Sequence, residues 1–229
     1  MKKFLIFLMT FMLALPSAEA QLSEKECKKE AKKMAKLLKK QGYEIFASSI
    51  TLETALFIHN KNTLGVDGVA VQMGIASKCK SKNVGKQWAK QNACFSYAQS
   101  AGAHVKGRVA AEMRGNAVDE NVEKDDSNKA ENNANAEKKR DMAEIDNFYG
   151  AYTNEVNAEI KGVMKESYCL IKNNGDGTYE VQAYYIVNED EALEARMRAM
   201  ENALKESAVS QEHARKISEF VNEGFELAN

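Results

Sequence analysis

Histidine is the side chain best suited to acid–base catalysis near neutral pH, and this chain contains three, at positions 59, 104 and 213. Each falls in a separate predicted helix, and no pattern of nucleophile and base surrounds any of them. The sequence also lacks a Gly-x-Ser-x-Gly elbow, a His-Glu-x-x-His zinc motif and a phosphate-binding glycine loop. It therefore predicts no catalytic residue. A hydrolase is an alternative that would require His104 to meet a cysteine or a carboxylate in a cleft.

Two polar stretches have a composition that would suit calcium, but neither has the spacing of a calcium loop. The acidic run at 119–126 lacks the glycine and the regular ligand spacing of such a loop. Around Asn174 and Asp176, Lys172 would occupy the first ligand position and Ala183 the position of the final glutamate. The cysteines form no C-x-x-C pair and no Cys/His cluster, so zinc is not predicted either. We expect no metal ion and no other cofactor.

The four cysteines are spread along the chain and allow two interpretations. An even number of cysteines in an exported chain is compatible with disulfides, and four residues allow three pairings. Alternatively, several of them are small buried hydrophobic residues. The sequence leaves both interpretations open for Cys27, Cys79, Cys94 and Cys169.

Residues 1–20 have the pattern of a secretory signal peptide. Lys2 and Lys3 precede an almost wholly apolar run at 4–15, and Ala18-Glu19-Ala20 fits a small-x-small cleavage site. The apolar run is shorter than the roughly 20 residues that a membrane-spanning helix requires. We therefore expect cleavage after Ala20, a location in the periplasm or at the outer membrane, and no transmembrane span in the mature chain. The net charge of −1 argues against a nucleic-acid partner.

Hydrophobic periodicity predicts an α+β fold built from one strand, one long helix and one hairpin. Residues 69–77 alternate as a strand with small residues on one face, which indicates close packing of another element there. A helix with an alanine-rich core face is predicted at 84–113. Asn-Gly and Asp-Gly pairs between two alternating runs predict the hairpin at 166–187. The residues assigned to the core face of the helix are Trp88, Ala89, Ala93, Phe95, Tyr97, Ala101, Val105, Val109 and Met113.

Two helices are predicted before the central strand. The first, at 23–41, is rich in lysine, and Ser23 and Glu26 form a capping box at its start. Its lysines form a solvated face or, alternatively, contact an anionic membrane surface, although its apolar side lacks aromatic residues. A short extended piece at 43–47 leads to a second helix, which Thr51 caps.

The chain that follows the central helix is predicted to be helical outside the hairpin. The polar segment at 115–140 is expected to be weakly ordered or helical. An apolar stripe predicts a helix at 142–163 that lies antiparallel to the preceding helix or flanks the sheet. From Glu189, a helix follows with its alanines inside and its Glu and Arg side chains outside. All elements are assigned to one domain at 21–229.

A partner surface is predicted from amphipathicity at two places. One is the C-terminal helical piece, and the other is a pair of tyrosines on the second strand of the hairpin. The residues of this surface are Phe220, Phe225, Tyr184 and Tyr185.

Four features in order carry a resemblance to known proteins. They are a charged helix ending in Gly42-Tyr43-Glu44, a helix starting at Leu52-Glu53, the strand Met73-Gly74-Ile75-Ala76-Ser77, and an alanine-rich helix containing Gln91-Asn92-Ala93. With them, residues 25–205 resemble a family of uncharacterised exported proteins of Bacteroidetes-type bacteria. That family is similar to small helicobacter-type outer-membrane lipoproteins and to the N-terminal domain of the flagellar T-ring protein.

The resemblance implies an envelope location and a strand that enters a long helix packed on a hairpin with an Asp-Gly turn, here Asp176-Gly177. It brings no catalytic residue. The chain departs from the lipoproteins because no cysteine directly follows Ala20, and because it contains the polar segment at 115–140.

These observations favour a non-enzymatic envelope protein that acts as a structural or protein-interaction module. Its partner would be another envelope protein, and a homo-oligomer is an alternative. A periplasmic protein that binds a small apolar ligand is the alternative function, since the small residues of the strand at 69–77 would suit the wall of a pocket. The same residues would equally permit close packing of a helix.

Overall fold

The computed structural model describes residues 22–119 and 128–207, together with positions 214, 215, 217, 218 and 221. Several sequence predictions fall on other residues and lie outside the described part of the chain. These are the signal peptide with its cleavage site, most of the acidic run at 119–126, His213, Phe220 and Phe225.

The described chain contains five helices and four strands, which confirms the predicted α+β class. In chain order they are α1 (Glu24–Lys40), β1 (Tyr43–Ile45), α2 (Leu52–Thr63), β2 (Val69–Cys79), α3 (Lys82–Asp119), α4 (Asn128–Val163), β3 (Lys165–Asn173), β4 (Tyr179–Asn188) and α5 (Glu189–Glu206).

The strands form one antiparallel sheet in the order β1-β3-β4-β2. The predicted hairpin is β3-β4, and its turn is held by its own side chains. Asn173 Oδ1 accepts the Gly175 N–H at 2.9 Å, and Asp176 Oδ1 accepts the Thr178 N–H at 3.0 Å. Gly175 and Gly177 have φ of 82° and 79°, which a residue with a Cβ rarely adopts. The short extended piece predicted at 43–47 forms β1 at the sheet edge.

The described residues fall into two compact units, whereas the sequence predicts a single domain. The first unit contains residues 22–93 and 164–189. The second contains residues 94–119, 128–163 and 190–207, together with the described positions from 214 to 221.

In the first unit, α1 and α2 cover one face of the sheet. The capping box of α1 is present, with the Ser23 N–H donating to Glu26 Oε2 at 3.0 Å and the Glu26 N–H donating to Ser23 Oγ at 3.4 Å. Thr51 caps α2 by accepting the Thr54 N–H at 3.2 Å. The apolar side of each helix is buried in this layer, through Ala31, Ala35, Leu38, Leu52, Ala55 and Leu56.

The first turns of α3 cover the opposite face of the sheet at very short range. A Cβ built on Gly74 would lie 1.8 Å from the Ala89 carbonyl oxygen and 2.7 Å from the Ala93 backbone nitrogen. The helix backbone therefore rests directly on the strand, as the small residues predicted. This packing also fills the space in which the sequence suggested a ligand pocket.

The second unit contains three helical segments that run antiparallel to their neighbours. Along α3 and α4, Gly102 faces Thr153, and Lys106 Nζ lies 2.6 Å from Asp146 Oδ1. Along α4 and α5, Arg198 Nε lies 2.8 Å from Glu159 Oε2. The predicted antiparallel arrangement of the first two segments is confirmed. The described parts of the segment at 115–140 are helical, because α3 extends to Asp119 and α4 begins at Asn128.

Candidate functional site

The sheet side of α2 contains a histidine–hydroxyl pair that the sequence did not indicate. His59 is only 5% exposed, and its Nδ1 lies 2.9 Å from Ser167 Oγ. Ser167 is the extra residue of a bulge in β3, since Glu166 pairs with Tyr185 and Tyr168 pairs with Tyr184. The two partners are 108 positions apart in the chain, so no local motif could predict their pairing.

Two tyrosine rings enclose the His59 imidazole. Its ring centre lies 5.0 Å from that of Tyr168 in an edge-to-face arrangement, and Tyr168 stacks on Tyr184 at 4.4 Å. Burial lowers the pKa of His59 to about 4. The imidazole is therefore neutral at physiological pH, with one ring nitrogen engaged by Ser167.

A chain of hydrogen bonds continues from Tyr184 across the sheet. Tyr184 donates to Gln182 Oε1 at 3.2 Å, and Gln182 Nε2 donates to Tyr43 Oη at 2.7 Å and to Glu180 Oε1 at 2.8 Å. Tyr43 also donates to the Glu180 carboxylate. Burial raises the pKa of Tyr184 to about 12 and that of Tyr168 well above its usual value. The tyrosines therefore remain neutral hydrogen-bond donors.

The arrangement of this polar cluster does not suit catalysis. A nucleophilic serine needs an accessible hydroxyl and a base that a third group orients. Here His59, Gln182 and Tyr184 are buried, and the hydrogen bond resolved on the imidazole is to Ser167. The cluster satisfies polar groups within the packed layer between the sheet and α1–α2.

The predicted partner surface on the hairpin is wrong. Tyr184 is 4% exposed and Tyr185 is 1% exposed, so neither side chain is available to a partner. They lie on opposite faces of β4, and each face is covered by helices or neighbouring side chains of the fold. An amphipathic strand indicates two faces, but the sequence does not indicate that both faces are covered.

The second unit contains a buried arginine that the sequence placed outside. Arg196 is 2% exposed, and its Nη1 donates to Tyr97 Oη at 2.5 Å. Alanines on the inner side of α5, at positions 192, 195, 199 and 203, leave room for this long side chain. Burial also raises the pKa of the neighbouring Tyr152, with the Arg196 charge acting in the opposite direction. The group is a polar element of the helix packing.

The four cysteines are buried thiols, and no disulfide joins them. The structure thus favours the second of the two interpretations of Cys27, Cys79, Cys94 and Cys169. Burial raises the pKa of Cys169 to about 11 and also raises the pKa values of Cys27 and Cys79. Because the thiolate is the reactive form, these three are poor nucleophiles. His104, the other described histidine of the sequence analysis, lies half-buried on α3 in the second unit.

A lysine-lined groove of about 460 Å³ lies between α1 and the start of α2. Four lysines, Ala35 and Glu53 of α2 line it. The apolar side of α1 is used within the fold, which leaves the helix without the free apolar face that an interfacial membrane helix requires. We call this feature the lysine groove, and its lysines are Lys32, Lys36, Lys39 and Lys40.

Two aromatic residues assigned to the core are instead exposed. Trp88 and Phe95, both on α3, are each 50% exposed, so their assignment is wrong. Ala89 and Ala93 form the contact with β2, and Trp88 is turned about 100° away from Ala89 around the helix. The helix uses its smallest side chains for close packing, which leaves the indole beside the sheet.

Within the described ranges, no group of three His, Cys, Asp or Glu side chains is arranged to hold a metal ion. None of the helices described here has the length and apolar character to cross a membrane. Comparison with protein-family models, curated proteins and solved structures yields no match. The resemblance to exported and lipoprotein families therefore stays a prediction.

Proposed function

We propose that this protein is a non-enzymatic protein of the cell envelope that works as a protein-interaction module. One observation carries the proposal: His59 and the polar side chains around it are packed inside the first unit, while charged and aromatic groups are exposed on the surface. The signal-like pattern of residues 1–20 supports an envelope location. Binding would then occur through the surface, and the interior polar groups would serve the fold.

The lysine groove is the part of this surface with the clearest chemical preference. Helix α1 contains eight lysines and three glutamates, although the whole chain has a net charge of −1. Concentrated positive charge of this kind attracts an acidic segment and speeds its association. An acidic segment of a partner protein is therefore the proposed occupant of the groove.

Binding of a small apolar ligand between sheet and helices receives no support from the packing. The small face of β2, which would have lined that pocket, is occupied by the backbone of α3 at Ala89 and Ala93. A hydrolase receives no support either, because His59, the base of the histidine–hydroxyl pair, is buried.

In-cell crosslinking of the tagged chain, followed by fractionation and mass spectrometry, tests the proposal. We expect one reproducible envelope protein to be attached to the wild-type chain. The variant Lys36→Glu/Lys39→Glu should reduce its recovery at least about fivefold, because two charges facing the acidic segment are reversed. The matched control Lys28→Glu/Lys29→Glu changes the same total charge on the same helix outside the groove and should retain the partner.

Two outcomes contradict the proposal. Recovery of the chain without any partner from every envelope fraction would remove the interaction role. Equal loss of the partner in the groove variant and in the control variant would mean that net charge, and not the groove, determines binding.

A further inference from the structure

The two edges of the sheet differ in length. The sheet order places β1 at one edge and β2 at the other. β1 has 3 residues, whereas β2 has 11. Natural proteins protect edge strands by keeping them short or covering them, since an open edge pairs readily with another strand. β1 meets this rule through its length, whereas β2 is long and has its bulge only at its end, between Ala76 and Cys79.

The backbone groups on the outer side of β2 can be assigned from two hydrogen bonds. The Gly68 carbonyl accepts the Glu189 N–H at 2.9 Å, so even-numbered residues of the strand point toward β4. Val69, Val71, Met73 and Ile75 then direct their N–H and C=O groups outward. Among the described residues, the hydrogen bond found on this side is from Asn92 Nδ2 to the Ile75 carbonyl at 2.7 Å.

The exposed tryptophan lies above this outer edge. Lys86 Nζ lies 2.7 Å from Glu166 Oε1 of β3, so one flank of α3 faces the interior strands. Asn92 reaches β2 from the opposite flank, and Trp88 is one helical turn before Asn92 on that same flank. The indole, which is 50% exposed, therefore borders the open edge of β2. Val84, also exposed, precedes it by another turn.

The charges at the two ends of β2 are complementary to those of a second, antiparallel β2. Asp67 precedes the strand, Lys78 and Lys80 lie at its end, and residues 69–77 carry no charge. If the Met73 residues of two antiparallel copies face each other, Asp67 of one lies opposite the 78–80 stretch of the other. A parallel arrangement would instead bring like charges together, which disfavours pairing.

We propose that β2 pairs antiparallel with β2 of a second copy of this chain, which joins the two sheets into one. A two-fold axis perpendicular to the sheet puts α3 of both copies on the same face. Their Trp88 flanks then meet above the joined strands and bury the indoles. The inference rests on the proposed interaction role, to which it adds a partner, but it uses a surface other than the lysine groove.

The test measures the mass of the purified chain by light scattering across a dilution series, together with tryptophan emission. The chain contains one tryptophan, so the emission reports Trp88 alone. We expect a dimer that dissociates on dilution, with a shift of the emission to longer wavelength as the indole becomes exposed. Deuterium exchange of the β2 amides should accelerate over the same concentration range.

Charge reversal at the two ends of the strand makes the test specific. Asp67→Lys alone and Lys78→Asp/Lys80→Asp alone should each weaken the dimer at least about tenfold, since like charges then face each other twice. An equal mixture of the two variants should associate again, because their substituted residues carry opposite charges. Glu44→Lys, at the exposed residue of β1, is the matched control and should leave the dimer unchanged.

A wild-type chain that is monomeric at all concentrations overturns the inference. This holds whether its β2 amides exchange quickly with deuterium or are protected from exchange by another part of the chain. So does a dimer that keeps its affinity in both charge variants. Circular dichroism of each variant identifies any loss of folding. The mixing experiment then separates charge repulsion from unfolding, since unfolded chains would not regain association on mixing. Capture of an acidic partner at the lysine groove does not depend on these results, so the two proposals fail separately.

Discussion

The two faces of the sheet in the first unit are packed in opposite ways. On the α3 side, backbone meets backbone, and a Cβ at Gly74 would lie 1.8 Å from the Ala89 carbonyl oxygen. On the α1–α2 side, side chains fill the layer, and polar ones among them are hydrogen-bonded: His59 to Ser167, and Tyr184 through Gln182 to Tyr43.

Because of this difference, the stability of the two faces should respond to different kinds of change. At Gly74, on the α3 side, the neighbouring atoms belong to the helix backbone, so an added carbon atom must displace the helix. The α1–α2 side contains neutral polar groups. Their contribution to stability depends on each hydrogen-bond partner being present and uncharged. One face is therefore sensitive to volume, and the other to hydrogen bonding and pH.

The largest expected effect is on the α3 side. Gly74→Ala should lower the free energy of unfolding by at least about 3 kcal/mol, because the new methyl group overlaps backbone atoms of Ala89 and Ala93. Urea denaturation followed by circular dichroism measures this change. Gly150→Ala is the control: nothing lies within 4 Å of its Cβ position in α4, and a stabilisation of about 0.5–1 kcal/mol is expected. Equal effects at both glycines would refute the tight contact.

The second prediction concerns pH and the α1–α2 side. The folded chain holds His59 with a pKa of about 4, below its usual 6.5, so the unfolded chain binds more protons between these values. The free energy of unfolding should therefore fall by up to about 3 kcal/mol as the pH decreases from 6.5 to 4.

Denaturation curves across that pH range measure the dependence. His59→Gln should remove most of it, whereas His104→Gln should preserve it. A wild-type stability that is constant from pH 6.5 to 4 would mean that the imidazole is not held neutral by burial.

The third prediction separates lost hydrogen bonds from lost volume. Gln182→Met keeps the size of the side chain but leaves the Tyr184 hydroxyl without its acceptor, and it should cost about 2 kcal/mol of stability. Adding Tyr184→Phe should cost less than the sum of the two single changes, because both members of the pair are then removed. A double-mutant cycle by urea denaturation measures this coupling. Strict additivity would contradict the proposed network.

The smallest effect is expected at the start of α2, which carries His59 over the sheet. Thr51→Ala removes the acceptor of the Thr54 N–H and should cost about 1 kcal/mol. Thr54→Ala, which removes an exposed hydroxyl and keeps the cap, should cost less. The midpoint of thermal unfolding ranks the two, and the reverse order would argue against the cap.

Much of the fold could be predicted because its signals are local. The Asn-Gly and Asp-Gly pairs mark the β3-β4 turn, since positive φ is required there and glycine supplies it. Ser23 and Thr51 mark helix starts because their side chains bond backbone groups three residues ahead. The small face of β2 indicated close packing because only a strand without large side chains allows it.

Two of the errors concern which side of a helix faces the interior. Trp88 was assigned to the core and is exposed, while Arg196 was assigned to the surface and is buried. In both helices alanine forms the actual contact, and a helix that packs through alanine gives a weak apolar pattern. Side-chain polarity then no longer identifies the buried side, and the neighbouring elements decide it.

The sequence by itself determined the helices, the strands, their caps and turns, and the closeness of one packing face, because these depend on residues within a few positions of each other. Only the tertiary structure decided that His59 meets Ser167, that Tyr184 is buried, and that β2 is an edge strand of the described sheet. Those features depend on strand order and on a bulge in β3. Both arise from contacts between distant parts of the chain, which local periodicity does not encode.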